Sequence, residues 1–261
     1  MKGIWKGIIA GIVLIVLGVA ILLATLALND WSVGTKYEIE TFTAISDNNF
    51  VELDIGACAL KTEFYDGDKI QITYPKGSNI KTDIDEYNGK LIFESKIKWY
   101  AHVFNKPSVP ETVVKLPKDK VLDLAIGLGA GTIKLADGAY GKVIIDLGAG
   151  TLDAQNLECG TLICDISAGS AKFKNVTCST LDCDVSAGKL NISSLTCPKI
   201  NVDVSAGEIN LGVNGVKSEY TVRVDVSAGS CNLSNQKGNT DKKIEVDCSA
   251  GSVTVNFIDS K

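Results

Sequence analysis

Six aspartates recur at one place in a repeated word. Asp146, Asp165, Asp184, Asp203, Asp225 and Asp247 each stand four residues before a glycine, in Asp-x-Ser-Ala-Gly or a close variant of it. If the words stack on one another at roughly 4.8 Å, neighbouring carboxylates repel by roughly 1–3.5 kcal/mol between effective dielectrics of 80 and 20. Something must offset that. One reading is cation capture, of the calcium type, between carboxylates and serine hydroxyls such as those of Ser167 and Ser186. The other is that each Asp accepts backbone N–H groups of its own corner, as in an Asx-turn. The column coincides with the corner and no calcium-loop spacing is present, which favours the second. No metal or other cofactor is therefore expected.

The eight cysteines also fall into columns: Cys159, Cys178 and Cys197 share one, Cys164 and Cys183 another, while Cys58, Cys231 and Cys248 lie apart. No Cys-x-x-Cys pair exists, so a zinc ribbon is excluded. Stacking brings some of these Cα atoms within disulfide range, yet Leu, Val and Ile occupy the same columns elsewhere, which points to small buried hydrophobes. Ser186-Ala-Gly-Lys189 matches a Ser-x-x-Lys nucleophile, but the same word elsewhere ends in Ser170 or Glu208, and the nucleophile should open a helix. Gly127-Leu-Gly129-Ala-Gly131 lacks the Gly-Lys-Ser/Thr of a phosphate loop. The single histidine, His102, has no acid or nucleophile at a recognisable spacing. No catalytic residue is expected.

What must position these residues is a repeat. The glycine closing the word falls at Gly131, Gly150, Gly169, Gly188 and Gly207, in steps of 19, and then at Gly229 and Gly251, in steps of 22. Between glycines the apolar residues alternate with period two, as in Ile200, Val202 and Val204 before Gly207 and Ile209 and Leu211 after it. That period belongs to strands with one buried face. A unit so short buries its apolar face only against units above and below, so the expected fold is an all-β solenoid of single coils, seven in register over about 34 Å. The Ser-Ala-Gly word is the expected corner, with glycine at φ > 0 and alanine in a tight inward position.

Residues 123–261 carry the regular repeats, and 50–122 look like an N-terminal β cap. Val51, Leu53, Ile55 and Ala57 match the inward columns, and hairpins are expected around Asp66-Gly67-Asp68 and Asn88-Gly89. Residues 29–49 form a linker or lead-in strand. Upstream, 8–28 is an apolar run without charges, long enough to span a bilayer, after a stub of residues 1–7 carrying Lys2 and Lys6. An uncleaved transmembrane helix with its N-terminus in the cytoplasm is expected, a cleaved signal peptide being the alternative. The chain holds 26 Lys and Arg against 31 Asp and Glu, for a net charge of −5, which excludes nucleic acid as a partner.

The words "DISAGS", "DVSAGK", "DVSAGE", "DVSAGS" and "DCSAGS", with the hairpin-rich lead-in and the apolar run, resemble the bacterial toastrack proteins, β-strand-repeat proteins of the cell envelope also described as proposed adhesins. The resemblance covers about residues 38–258 and implies an extracytoplasmic module of a type that often accompanies envelope-stress signalling. It carries over no functional residue. A non-enzymatic module on the bacterial cell membrane is expected, binding a protein or envelope polymer. A surface adhesin or structural rod is the alternative, and a solenoid polysaccharide lyase a more distant one.

Overall fold

The computed structural model describes residues 37–97 and 109–258. The expected stub over 1–7, the transmembrane helix over 8–28, the start of the linker and His102 lie outside them. Among the described residues no helix is long and apolar enough to cross a membrane.

Seventeen strands form one sheet that winds around the core. They are β1 (Glu38–Thr43), β2 (Phe50–Tyr65), β3 (Gln71–Lys76), β4 (Ile80–Tyr87), β5 (Lys90–Ile97), β6 (Thr112–Pro117), β7 (Asp123–Leu135), β8 (Gly138–Leu147), β9 (Thr151–Ile166), β10 (Ser170–Val185), β11 (Lys189–Thr196), β12 (Lys199–Val204), β13 (Glu208–Asn214), β14 (Tyr220–Val226), β15 (Ser230–Cys231), β16 (Lys242–Cys248) and β17 (Ser252–Ile258). Coil stacks on coil through parallel, in-register pairs such as Leu181 against Leu162 and Ile200. The period-two pattern is visible in β10, where every inward residue from Ala171 to Val185 is buried. Volumes compensate between coils: Phe173 is paired with Ala154 on one side.

The longest coils carry three strand segments. Pairing of β9 with β10 skips Lys174 and Ser179, and there the chain bends. Between the bends Val176 and Cys178 point inward, opposite Leu157 and Cys159. One bend carries a side-chain ladder, with the Asn175 amide donating to Asn156 Oδ1 (2.7 Å) and the Asn156 amide donating to Asp137 (2.7 Å).

The corner also differs from expectation. The alanines of the word, Ala168, Ala187 and Ala206, are exposed, and the glycines Gly169, Gly188 and Gly207 are buried. Of the seven corner glycines only Gly131 has a left-handed φ, 133°. The others are needed for contact: a Cβ on Gly188 would lie 2.5 Å from the carbonyl oxygen of Gly169 in the coil below.

Stacking departs from chain order at both ends. β2 lies between β7 and the coil made by β5 and β6, so the region from residue 50 already contains two coils. Asn88-Gly89 joins the antiparallel pair β4–β5, but Asp66-Gly67-Asp68 makes no hairpin, because β3 pairs with β1 and β6 instead of β2. At the other end β16 and β17 slot between β12–β13 and β14–β15, so the last two repeats are exchanged in space. The strand lengths explain it. β17 matches all seven residues of β13, whereas β15 pairs over two residues only, so the incomplete coil goes outermost.

Segment 232–240 then closes the free edge of β14. Val222 and Gln236 exchange both backbone bonds at 3.0 Å, and Asn235 Oδ1 accepts from the Val224 N–H at 2.6 Å. The Gln236 amide donates to the carbonyls of Lys217 and Tyr220. An edge strand is thereby denied to other chains.

Candidate binding surface

Each of the six aspartates is the penultimate residue of its strand, its side chain outward and exposed, on the face that precedes the corner. Register places them in one row: Asp146, Asp165, Asp184, Asp203, Asp247 and then Asp225, the last two in exchanged order. Asp54 and Glu94 extend the row beyond Gly127.

The structure does not show the corner-capping role expected for these carboxylates: among the described residues no hydrogen bond or ion pair reaches any of the six. Corner N–H groups bond instead to carbonyls one coil below, as in Ser186 to Ile166 (3.0 Å) and Ala187 to Ser167 (2.7 Å). Nor do the carboxylates converge: among the described residues no three His, Cys, Asp or Glu side chains form a metal-binding group. A flat row holds neighbours apart, whereas a calcium site needs six to eight oxygens around one point. The repulsion is relieved by solvent, and at the far end of the row by Lys96, which bonds both Asp54 (3.2 Å) and Glu94 (3.0 Å).

A second outward row, two residues earlier, reads Asp182, Asn201, Glu245 and Arg223. Arg223, the only arginine of the chain, meets Glu245 at 3.4 Å. With Asn235, Gln236 and Lys237 along one side, the two rows line an open groove of about 930 Å³. Its lining alternates valines, Val202 and Val224 among them, with carboxylates of the two rows, which suits a ligand that combines cationic or hydroxyl groups with apolar surface.

The enzyme-like motifs dissolve into the scaffold. Lys189 pairs with Glu208 across the next coil at 2.9 Å, and no helix follows Ser186. Gly127, Gly129 and Gly131 lie within β7, where a Cβ on Gly129 would meet the Gly56 carbonyl at 2.5 Å. All eight cysteines are free, six of them buried. Sequence reasoning missed the groove because the 232–240 segment has no repeat pattern; its Asn235 and Gln236 could have been suspected as edge caps only once β14 was known to be outermost.

Comparison with solved structures places the chain beside a proposed adhesin from Bacteroides fragilis NCTC 9343, with a TM-score of 0.51 and 16% identity over 86% of this chain and 100% of the other. A proposed adhesin from Parabacteroides merdae (TM-score 0.44, 16% identity, 84% and 96% covered) and a proposed lipid-binding protein from Parabacteroides distasonis (0.45, 13%, 84% and 96%) are also similar. The first of these supports the all-β, solenoid-like fold. No curated protein sequence matches the chain. The family described as Toastrack DUF4097 matches residues 52–261, from the second coil slot through the inserted C-terminal coil, and this chain belongs to it.

Proposed function

We propose that this protein is a non-enzymatic binding module of the bacterial cell envelope, held at the membrane by residues 8–28 with the β domain outside. The observation that carries this reading is the exposed face itself. Carboxylates stand in a long unpaired row, with an adjoining groove, and among the described residues nothing places an acid, a base and a nucleophile around one bond. A rigid columnar face of this kind suits docking of a protein or an envelope polymer. Family membership and the adhesin-type neighbour agree with a surface role.

Within that role a regulatory module in envelope-stress sensing is favoured over a long-reach adhesin. Nine parallel strands on the acidic face, from β5 to β14, span only about 38 Å at about 4.8 Å each. Deleting residues 31–261 should change the response of cells to wall-active or membrane-active stress and leave surface adhesion unchanged. Loss of adhesion with stress responses intact would establish the adhesin alternative, and cleavage of an envelope polysaccharide by the purified protein would sink both.

A further inference from the structure

Five of the eight thiols gather around one bend. Cys159 in β9 is directly opposite Cys178 in β10, and the register of Thr177 with Thr196 puts Cys197 on the next rung. Cys164 and Cys183 form a second pair in the adjoining column. Five cysteines in three successive coils exceed what a column of small hydrophobes requires, and neither the acidic face nor the groove uses them. A metal is not the answer, because among the described residues no three of these side chains converge.

Neighbouring rungs differ in how far they can adjust. An in-register parallel pair has Cα atoms about 4.8 Å apart, inside the disulfide range of about 4.4–6.8 Å but short of its mode at about 5.5–6 Å. A bond therefore needs one coil to yield slightly. Cys164–Cys183 lies inside two 16-residue strands, two residues before their C-terminal ends, and is held on both sides by ladder pairs. Cys197 lies between β11 and β12, next to Pro198, where the ladder is interrupted. Exposure runs the other way: Cys159 is 7% and Cys178 5% accessible, against 1% for Cys197. An oxidant thus reaches the ladder at one rung, and the chain yields at another.

We propose that Cys159, Cys178 and Cys197 form an oxidisable thiol ladder that takes one disulfide from a small disulfide donor of the glutathione type and holds it between Cys178 and Cys197. The thiolate of Cys159 attacks one donor sulfur and displaces a donor thiolate, which takes up the proton Cys159 gave. Cys178 then attacks the Cys159 sulfur and expels the second donor half as thiol. Finally Cys197 attacks the Cys178 sulfur, and Cys159 leaves with the proton of Cys197. Two protein thiols and one donor disulfide become one protein disulfide and two donor thiols.

The test uses the full chain in detergent, reduced, then exposed to glutathione disulfide, alkylated and mapped without reduction. The native protein should lose two of its eight thiols and yield a Cys178–Cys197 peptide, with Cys159, Cys164 and Cys183 alkylated after unfolding. Its melting midpoint should rise by about 10 °C, because the bond closes a loop of some twenty residues. Eight surviving thiols, under a poise that oxidises the urea-unfolded chain, would overturn the proposal, as would a Cys164–Cys183 link. Cys178→Ser should leave glutathione on Cys159 with no internal bond. Should that variant fail to fold, Cys197→Ser decides: the bond must stop at Cys159–Cys178 and its equilibrium yield must fall at least about tenfold, since both cysteines of that rung lie inside strands whereas Cys197 does not. An unchanged yield would remove the reason for the ladder.

Discussion

Replacing Gly188 by alanine should destabilise the fold, while the same change at Gly127, in the same repeat array, should stabilise it. A Cβ on Gly188 would stand 2.5 Å from the Gly169 carbonyl oxygen and 2.6 Å from Ile166 Cγ2. Ordinary contact begins near 3.4 Å, so two coils must part by the better part of an ångström at a point where Lys189 N bonds the same Gly169 carbonyl at 2.9 Å. Overpacking of this kind costs about 1–3 kcal/mol, or about 3–10 °C of melting midpoint in a chain this size. At Gly127 the nearest atom to a Cβ is Asp54 Oδ1 at 3.8 Å, and φ is ordinary. Alanine there removes only backbone entropy from the unfolded chain, for a gain of about 0.5–1 kcal/mol. The assay is a reversible thermal melt of the two variants and the parent protein, followed by circular dichroism. If Gly188→Ala melts with the parent protein, or both variants move in the same direction, close coil-to-coil approach is not what the corner glycine provides.

Asp184→Asn should raise the melting midpoint at low salt, because Asp184 has Asp165 and Asp203 as in-register neighbours. With both charges exposed the gain is about 1 kcal/mol or less and should vanish in molar salt. Millimolar calcium should raise the midpoint no more than sodium chloride of equal ionic strength does; a chelator-reversible rise specific to calcium would reinstate a cation in the row. Glu208 is held below its ordinary value of 4.5, first by the hydrogen bond from Lys189 and then by that from Asn210. Its contribution to stability is therefore complete above 4.5 and is lost as the pH falls through its lowered folded value; Lys189→Ala should return the Glu208 titration, followed by NMR, towards 4.5. Tyr220, whose hydroxyl donates to the Cys197 carbonyl at 3.0 Å, has its ionisation pushed up to about 12 by burial. Tyr220→Phe should cost about 1 kcal/mol and remove one high-pH step from the ultraviolet titration.

The fold was legible where residues repeat. Period-two columns such as Leu162, Leu181 and Ile200 specify both the strand and the face it buries, and register follows because a slip by one residue would turn every apolar side chain outward. The third strand segment was less legible, since Val176 and Cys178 supply only two inward residues between bends. Order along the stack was not legible at all. Val222, Ile244 and Ile200 belong to one column, so β14 and β16 offer β12 the same apolar partner, and the column cannot say which of them pairs. The acidic row could be counted from sequence, but its environment could not. Whether Asp184 bonds its own corner depends on where Ser186 and Ala187 send their N–H groups, and that is set by the coil below.

Both ends of the solenoid obey one physical rule, although their strands differ. A stacked coil exposes a row of unpaired backbone groups until the next coil arrives, so the outermost position falls to the element that can satisfy or disguise its own edge. At one end that element is β4, whose outward residues include Lys81, Asp83 and Asp85, with charge discouraging further pairing. At the other it is β14, whose coil lacks a full second strand but is followed by a polar segment long enough to fold back over it. β17 is complete, and wherever it went it would need a partner strand on both sides. Placing it between β13 and β15 provides that; Asn232 extends the seam by donating to the Val255 carbonyl and accepting from the Val255 N–H, both at 2.9 Å. The same backfolding sets Asn235, Gln236 and Lys237 beside Arg223 and Asp225, so the groove arises from the way the edge is closed. The end closed against another repeat is thus where the 232–240 segment gives the acidic face a wall.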